Sequence, residues 1–181
     1  MLLKFKSEVS QHVKNFINLI HTQYHITSKT VRSDNGPKFL LNSFYASKGI
    51  FHHKSCVETP QQNGRVERKN QHILNVGVSL LNRTKLPASY WSYALLHATF
   101  IINRVTSPTL HNQLLHGIIP DANSFKVFGS LCYSTSLQSH KTKLATRARK
   151  SVFLGYSIGY KGYFLLDIHT REIHISRQVN C

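Results

Sequence analysis

Apolar positions recur at spacings of three and four through residues 4–22, where Val9, Val13, Phe16, Ile17 and Ile20 share one side and Lys4, Lys6, Lys14 and Asn15 fall elsewhere. That pattern predicts an amphipathic helix packed on a core, with Glu8 a lone solvated charge. The period then drops to two, and residues 26–32 predict a short strand. Asp34 follows at its C-terminal end, beside the turn-forming run Asn35-Gly36-Pro37. Residues 39–48 predict a short helix with Phe39, Leu40, Phe44 and Tyr45 inward and Gly49 as its stop. Residues 50–54 predict a second strand. A loop over residues 59–64 then leads into the longest helical pattern, ending at about Asn82. Its expected buried stripe is Val66, Ile73, Leu74, Gly77, Leu80 and Leu81. Pro87 opens a further helix, on which Trp91, Leu95, Ala98, Ile101 and Ile102 read as core or helix-pairing surface.

The character changes after residue 104. Residues 105–124 carry Pro108, Gly117, Pro120 and Asn123 and read as a linker with one short helical turn. Beyond Phe125, residues 126–135, 151–157, 162–169 and 172–179 are strand-like, rich in β-branched and aromatic side chains and separated by turns. Short strands at this spacing predict a small barrel. The expected organisation is a mixed α/β part over residues 1–104, a linker over 105–124 and a small all-β domain over 125–181.

Charge sharpens this picture. The chain of 181 residues has 23 Lys and Arg against 7 Asp and Glu, a formal net charge of +16. A polyanionic partner, above all nucleic acid, rewards that imbalance through counterion release. An opportunistic basic surface would share the same composition. Two clusters stand out: Arg65, Arg68, Lys69 and His72 beside Glu67, and Lys141, Lys143, Arg147, Arg149 and Lys150 in one loop. The second lies in a span, Ala122 to Leu166, with no acid. Each reads as a grip on phosphate or as a solvated face. No apolar run approaches a membrane span, and Met1-Leu2-Leu3-Lys4 lacks the apolar core of a signal peptide, so no membrane partner is expected. The three cysteines, Cys56, Cys132 and Cys181, form no Cys-x-x-Cys pair, which suggests free thiols in a reducing compartment. His21 and His25 have zinc-like spacing and His52-His53 lie near Cys56, but without a paired cysteine motif these histidines read as scattered surface or core residues.

Two acids carry candidate chemistry. By position alone, Asp34 is a turn residue and Glu67 complements a helix dipole. The words around them change that reading. Ser33-Asp34-Asn35-Gly36, Gly49-Ile50 and Thr59-Pro60-Gln61-Gln62-Asn63-Gly64-Arg65-Val66-Glu67-Arg68-Lys69-Asn70 resemble the integrase region of copia-type retrotransposon Pol polyproteins. Trp91 with Asn103-Arg104, Val127-Phe128-Gly129, Phe153-Leu154-Gly155-Tyr156 and Lys161-Gly162-Tyr163 extend the resemblance over essentially the whole chain.

The resemblance implies a truncated RNase H-like fold (the retroviral integrase catalytic core) followed by a Src-homology-3-like barrel. It implies a reaction, metal-dependent DNA strand transfer in the parent enzyme. Two divalent ions about 3.5–4 Å apart serve such in-line displacements, and carboxylates suit Mg²⁺ or Mn²⁺. The family uses two Asp and one Glu; Asp34 matches the second Asp and Glu67 the Glu, as catalytic groups and metal ligands. The implied partners are element-end and target DNA, together with other segments of the polyprotein. The implied compartment is the nucleus, for which Arg147-Ala148-Arg149-Lys150 is a short basic run. Three departures stand against the match. The 32 residues between Asp34 and Glu67 are somewhat fewer than is usual. Lys38 stands where relatives often have an acid. The family's first Asp has no counterpart, because the only acid before Asp34 is Glu8, which aligns with the helix after the third strand, and Met1-Leu2-Leu3 resembles the tail of that strand.

The expectation is therefore an integrase fragment, inactive on its own unless a separate chain supplies the missing strands. The alternative is a non-enzymatic basic DNA-binding remnant of a transposable element. A different RNase H-like nuclease is disfavoured by the Thr59–Gly64 loop and the C-terminal words. In the related fold the first strand is central, in the order 3-2-1-4-5, so its loss leaves an unpaired strand edge and an uncovered helix face. The N-terminal part alone is expected to be marginally stable or aggregation-prone, with the C-terminal barrel the better-formed piece. A soluble fragment of residues 1–120 that melts cooperatively would contradict this.

Overall fold

The structure is a computed structural model that describes residues 2–56, 63–105, 125–135, 148–157 and 159–181. The chain divides into two compact units, Met1–Asn70 and Gln71–Cys181.

In the first unit a single 3-10 turn, Lys6–Glu8, leads into α1, Val9–Tyr24. His25 ends the helix in the left-handed region, at φ 53°. The strands β1 (Thr30–Ser33) and β2 (Phe51–Lys54) pair in parallel, Thr30 opposite Phe51 and Ser33 opposite Lys54. A parallel pair needs a crossover, here a 3-10 turn at Pro37–Phe39 and the helix α2, Asn42–Ser47. Gly49, at φ 65°, follows α2 and ends it as the sequence predicts. Ile17, Tyr45 and Ile50 form the buried centre, with Val13, Val31, Leu41 and Phe44 against it.

Three expectations change in this unit. Strand β1 begins later than residue 26, because it exists only where β2 offers partners. Leu40 is exposed: the 3-10 turn ends there with φ −79° and ψ 71°, which breaks the helical rotation that would have carried it inward. The apolar face of α1 is only partly covered, with Phe16 62% exposed, since among the described residues the sheet has two strands.

Helix α3, Gly64–Thr84, runs from the first unit into the second. Its stripe is shorter than the periodicity predicts. Val66 is 70% exposed, and burial begins at Gly77, where a methyl group would press on Leu95 of the next helix. Pro87 precedes a 3-10 turn, Ala88–Tyr90, and α4, Trp91–Ile102. Trp91 is 53% exposed, which removes the core from the two places its helix allowed it, core or helix-pairing surface; the buried residues of α4 are Ala94, His97 and Ala98. The expected linker falls, from residue 106 on, outside the described residues.

Among the described residues, the second unit holds five antiparallel strands, β3 (Leu131–Thr135), β4 (Ala148–Tyr156), β5 (Tyr163–Asp167), β6 (Ile173–Ser176) and β7 (Val179–Asn180), in the order β6-β5-β4-β3-β7. The sheet serves two cores. Leu154 and Leu166 join Phe128 and Ala94, and Leu80, Leu81 and Tyr93 pack against them. Cys132, Phe153 and Leu165 form the other, with Tyr156, Tyr163 and Val179. Consecutive residues of β4 reach different cores through its alternation and an irregularity between Phe153 and Gly155. Gly155 sits there at φ 135°, a conformation costly for any residue with a side chain. That accounts physically for the Phe153-Leu154-Gly155-Tyr156 word.

The cysteines correct the sequence reading. Because β3 and β7 pair Tyr133 with Asn180 and Ser134 with Val179, Cys132 comes to lie opposite Cys181. Their Cα atoms are 4.2 Å apart and the two form a disulfide. The pairing spans 49 residues and needs no local motif. Free thiols were the wrong expectation for this pair.

His97 is the buried hinge of α4 on the sheet. It is 2% exposed, stacks on Tyr156 with centroids 5.7 Å apart and meets Phe153 edge-on at 5.6 Å. Its Nδ1 has no hydrogen-bond partner. Burial drives its pKa from 6.5 down to about 4, so the ring is neutral in the fold. Above about pH 6.5 it is neutral in the unfolded chain too, and stability is complete. At lower pH the unfolded chain takes up a proton that the buried ring refuses, and stability falls until about pH 4. Chemical melts at about pH 7.5 and about pH 4.5 should show wild type losing roughly 2–3 kcal/mol more than His97→Phe.

Candidate functional site

The candidate site is built where β1 ends. After Ser33 the chain turns, and Asp34 Oδ1 accepts the N–H of Gly36 at 3.1 Å, the side-chain-to-backbone turn that Asp favours. The carboxylate is exposed. The next residue, Asn35, donates from Nδ2 to the carbonyl of Ser55 at 2.8 Å. Ser55 is buried and its N–H donates to the carbonyl of Ser33 at 3.1 Å, which carries the strand pairing one step past β2. Its Oγ accepts from Asn63 Nδ2 at 3.5 Å, and Asn63 directly precedes α3. The Asp34 turn and the start of α3 are thus tied to the same residue.

Glu67 projects from the first turn of α3 and is exposed, as are Arg65, Arg68 and Lys69 around it. Asp34, Glu67 and these three cations all belong to the first unit. Arg149 and Lys150 are exposed at the start of β4 in the second unit. Lys141, Lys143 and Arg147 lie outside the described residues.

A second group behind the turn escaped the sequence reading. Ser33 Oγ lies 2.8 Å from the main-chain carbonyl oxygen of Asp34 and 2.8 Å from Nε2 of His52. The His52 ring packs on Tyr45, with centroids 4.8 Å apart. Burial, and then the charges of Lys54 and His53, push the His52 pKa below its usual value. In sequence His52 was one of twelve histidines. The signal that marks it is its place beside Val31 in the strand register, which only the paired strands reveal.

Asp167 can be set apart. It is buried at the end of β5, and its Oδ1 accepts the N–H groups of His169 at 2.8 Å and Thr170 at 3.1 Å. Those bonds, Thr170's foremost, hold its carboxyl below the usual carboxylate range. It is a turn carboxylate.

The donors at Asp34 and Glu67 are hard carboxylate oxygens. They fit Mg²⁺ or Mn²⁺, which are usually held by one or two carboxylates and complete their shells with water and phosphate. Among the described residues no group of three or more His, Cys, Asp or Glu is placed to hold a metal, and no helix is long and apolar enough to cross a membrane.

The retroviral polymerase SH3-like domain family matches residues 130–181. The retrovirus-related Pol polyprotein from transposon RE1 of Arabidopsis thaliana is 37% identical over 182 residues, and that from transposon RE2 of the same plant 35%. The one from transposon TNT 1-94 of Nicotiana tabacum is 32% identical over 185 residues. Each alignment covers 98% of this chain. The chain is related to copia-type retrotransposon Pol polyproteins. It spans 12% of the length of the two Arabidopsis relatives and 14% of the tobacco one. Among solved structures, a chain of the simian T-cell lymphotropic virus intasome in complex with PP2A regulatory subunit B56 gamma aligns with 92% of this Pol segment and 61% of its own length, at 20% identity and a TM-score of 0.42.

The tie between Asn35 and Ser55 generates a prediction for the Pol segment. Asn35→Ala removes a donor from a buried carbonyl and should cost about 1–2 kcal/mol in chemical melts. The loss should be accompanied by faster amide exchange at residues 34–36, with α4 and the sheet unaffected.

Proposed function

We propose that this Pol segment is part of an integrase, with the first unit a truncated RNase H-like core in which Asp34 and Glu67 hold a divalent ion. The observation that carries this reading is the shared anchorage of both carboxylate-bearing segments on Ser55. The turn that carries Asp34 and the residue that precedes the Glu67 helix both bond to Ser55, which supports reading the two carboxylates together. The relationship to Pol polyproteins along the whole chain supports the same reading.

When bound, Mg²⁺ or Mn²⁺ supplies Lewis-acid stabilisation of phosphoryl oxygens and activation of an attacking hydroxyl. The chain's own residues do the rest. The N–H of Gly36 fixes one carboxylate oxygen of Asp34. Arg65, Arg68 and Lys69 hold phosphates beside Glu67 through charge, which positions DNA without reading its sequence. In the second unit, Arg149 and Lys150 present further cations for a DNA backbone. The nucleus is the compartment in which such a protein meets chromosomal DNA, and other segments of the polyprotein are its natural partners.

A second reading is a basic DNA-binding remnant with no metal chemistry, which the net charge of +16 serves equally. Titration of Mn²⁺ or Mg²⁺ into wild type and Glu67→Gln, each then given to a DNA-joining assay, separates the two. The integrase reading expects metal affinity to fall by about tenfold or more in Glu67→Gln, the loss of one charged ligand being worth at least about 1.4 kcal/mol, while DNA binding persists. Metal binding indifferent to Glu67→Gln would leave the remnant. Joining by wild type that vanishes in the variant would establish a complete active site.

A further inference from the structure

We propose that His52 is a positioning residue for Asp34: a neutral imidazole with its proton on Nε2, which clamps the Asp34 turn through the hydroxyl of Ser33. This rests on the reading of Asp34 as a metal-binding carboxylate for its functional meaning, and on hydrogen-bond geometry alone for its existence.

The direction of the chain follows from counting protons. Ser33 Oγ carries one. The carbonyl oxygen of Asp34, 2.8 Å away, can only accept, so that proton is committed to it. Nε2 of His52 lies 2.8 Å from the same Oγ. With its proton committed, Oγ meets Nε2 only as an acceptor, and Nε2 must carry a hydrogen. The chain therefore runs from His52 Nε2–H to Ser33 Oγ, and from Ser33 O–H to the Asp34 carbonyl.

The other ring nitrogen fixes the charge. Nδ1 of His52 is buried with no hydrogen-bond partner. A hydrogen there would make the ring a cation with a buried, unmatched N–H, which is costlier than an unmatched acceptor. The burial and the neighbouring charges of Lys54 and His53 act in the same direction. The ring of Tyr45 lies 4.8 Å from that of His52, tilted by 42°, and its own buried hydroxyl has no partner. The ring has one donor, and that donor faces Ser33.

The consequence falls on Asp34 from both sides. Its main-chain carbonyl is held by Ser33, and its carboxylate accepts the N–H of Gly36. The turn is fixed at the backbone and at the side chain, so the remaining carboxylate oxygen has a fixed direction before any ligand arrives.

The test uses the full chain. Long-range proton–nitrogen correlation spectra of histidine-labelled wild type read the tautomer of His52 directly and need no variant. The neutral ring with its proton on Nε2 is expected; a cation or a proton on Nδ1 overturns the inference. Amide exchange at Gly36 is then compared among variants. His52→Phe keeps a ring against Tyr45 and loses the donor, Ser33→Ala breaks the chain at its middle, and His52→Gln restores a donor. Exchange is expected to quicken by about tenfold in the first two and to return close to wild type in His52→Gln, the size that one lost hydrogen bond gives. Equal behaviour of His52→Phe and His52→Gln would mean packing alone and overturns the clamp. Mn²⁺ titration of the same proteins separates the two readings. A wild type with the expected tautomer and exchange but no metal affinity supports the clamp and defeats the metal reading alone.

Discussion

Ser55 is the residue on which the first unit depends. Its N–H prolongs the parallel pairing of β1 and β2, its carbonyl receives Asn35, and its hydroxyl receives Asn63. All three bonds presuppose one register. A slip of one residue between β1 and β2 would turn every side chain to the opposite face, removing His52 from Ser33 and Ser55 from both asparagines. A two-stranded sheet has little stability of its own. The register is therefore held from outside the sheet, by Ile17 of α1 and Tyr45 of α2 packed around Ile50. Hydrophobic packing fixes the strands, the strands fix Ser55, and Ser55 fixes the two segments that carry the acids.

The second unit solves a different problem. Its cations at Arg149 and Lys150 are exposed, yet they belong to the strand whose later residues, Phe153 and Leu154, are fully buried. One continuous strand passes from an exposed basic surface to two cores. The irregularity at Gly155 lets the strand pass close to His97, and the stacked rings of His97, Tyr156 and Phe100 fasten α4 to it.

What the sequence made legible was local. The apolar period placed α1, α3 and α4 within a few residues of their ends, and the Asn35-Gly36-Pro37 run placed Asp34 in a turn after a strand. What stayed hidden depended on partners distant in the chain. Periodicity shows which face of a helix is apolar and says nothing of whether a neighbour covers it; Val66 and Phe16 are apolar and exposed for that reason. Cys132 and Cys181 meet because β7 returns beside β3, a non-local pairing that an odd cysteine count gave no hint of. His52 looked like any other histidine because its role requires the register of β1 against β2. Asp34 and Glu67 drew notice through the words around them, and the structure adds the bonds that brace those words.

The reach of α4 into the sheet bears on how such elements exchange parts. The SH3-like family match begins at residue 130, but the core under that sheet includes Ala94 of α4 and Phe128, with Leu80 and Leu81 of α3 packed alongside. A recombination event that joined residues 130–181 to foreign upstream sequence would pair the sheet with a helix never shaped to it, leaving Leu154 and Leu166 without their counterparts. The packed unit is larger than the matched segment: it begins within α3, and the sheet shares one core with α4.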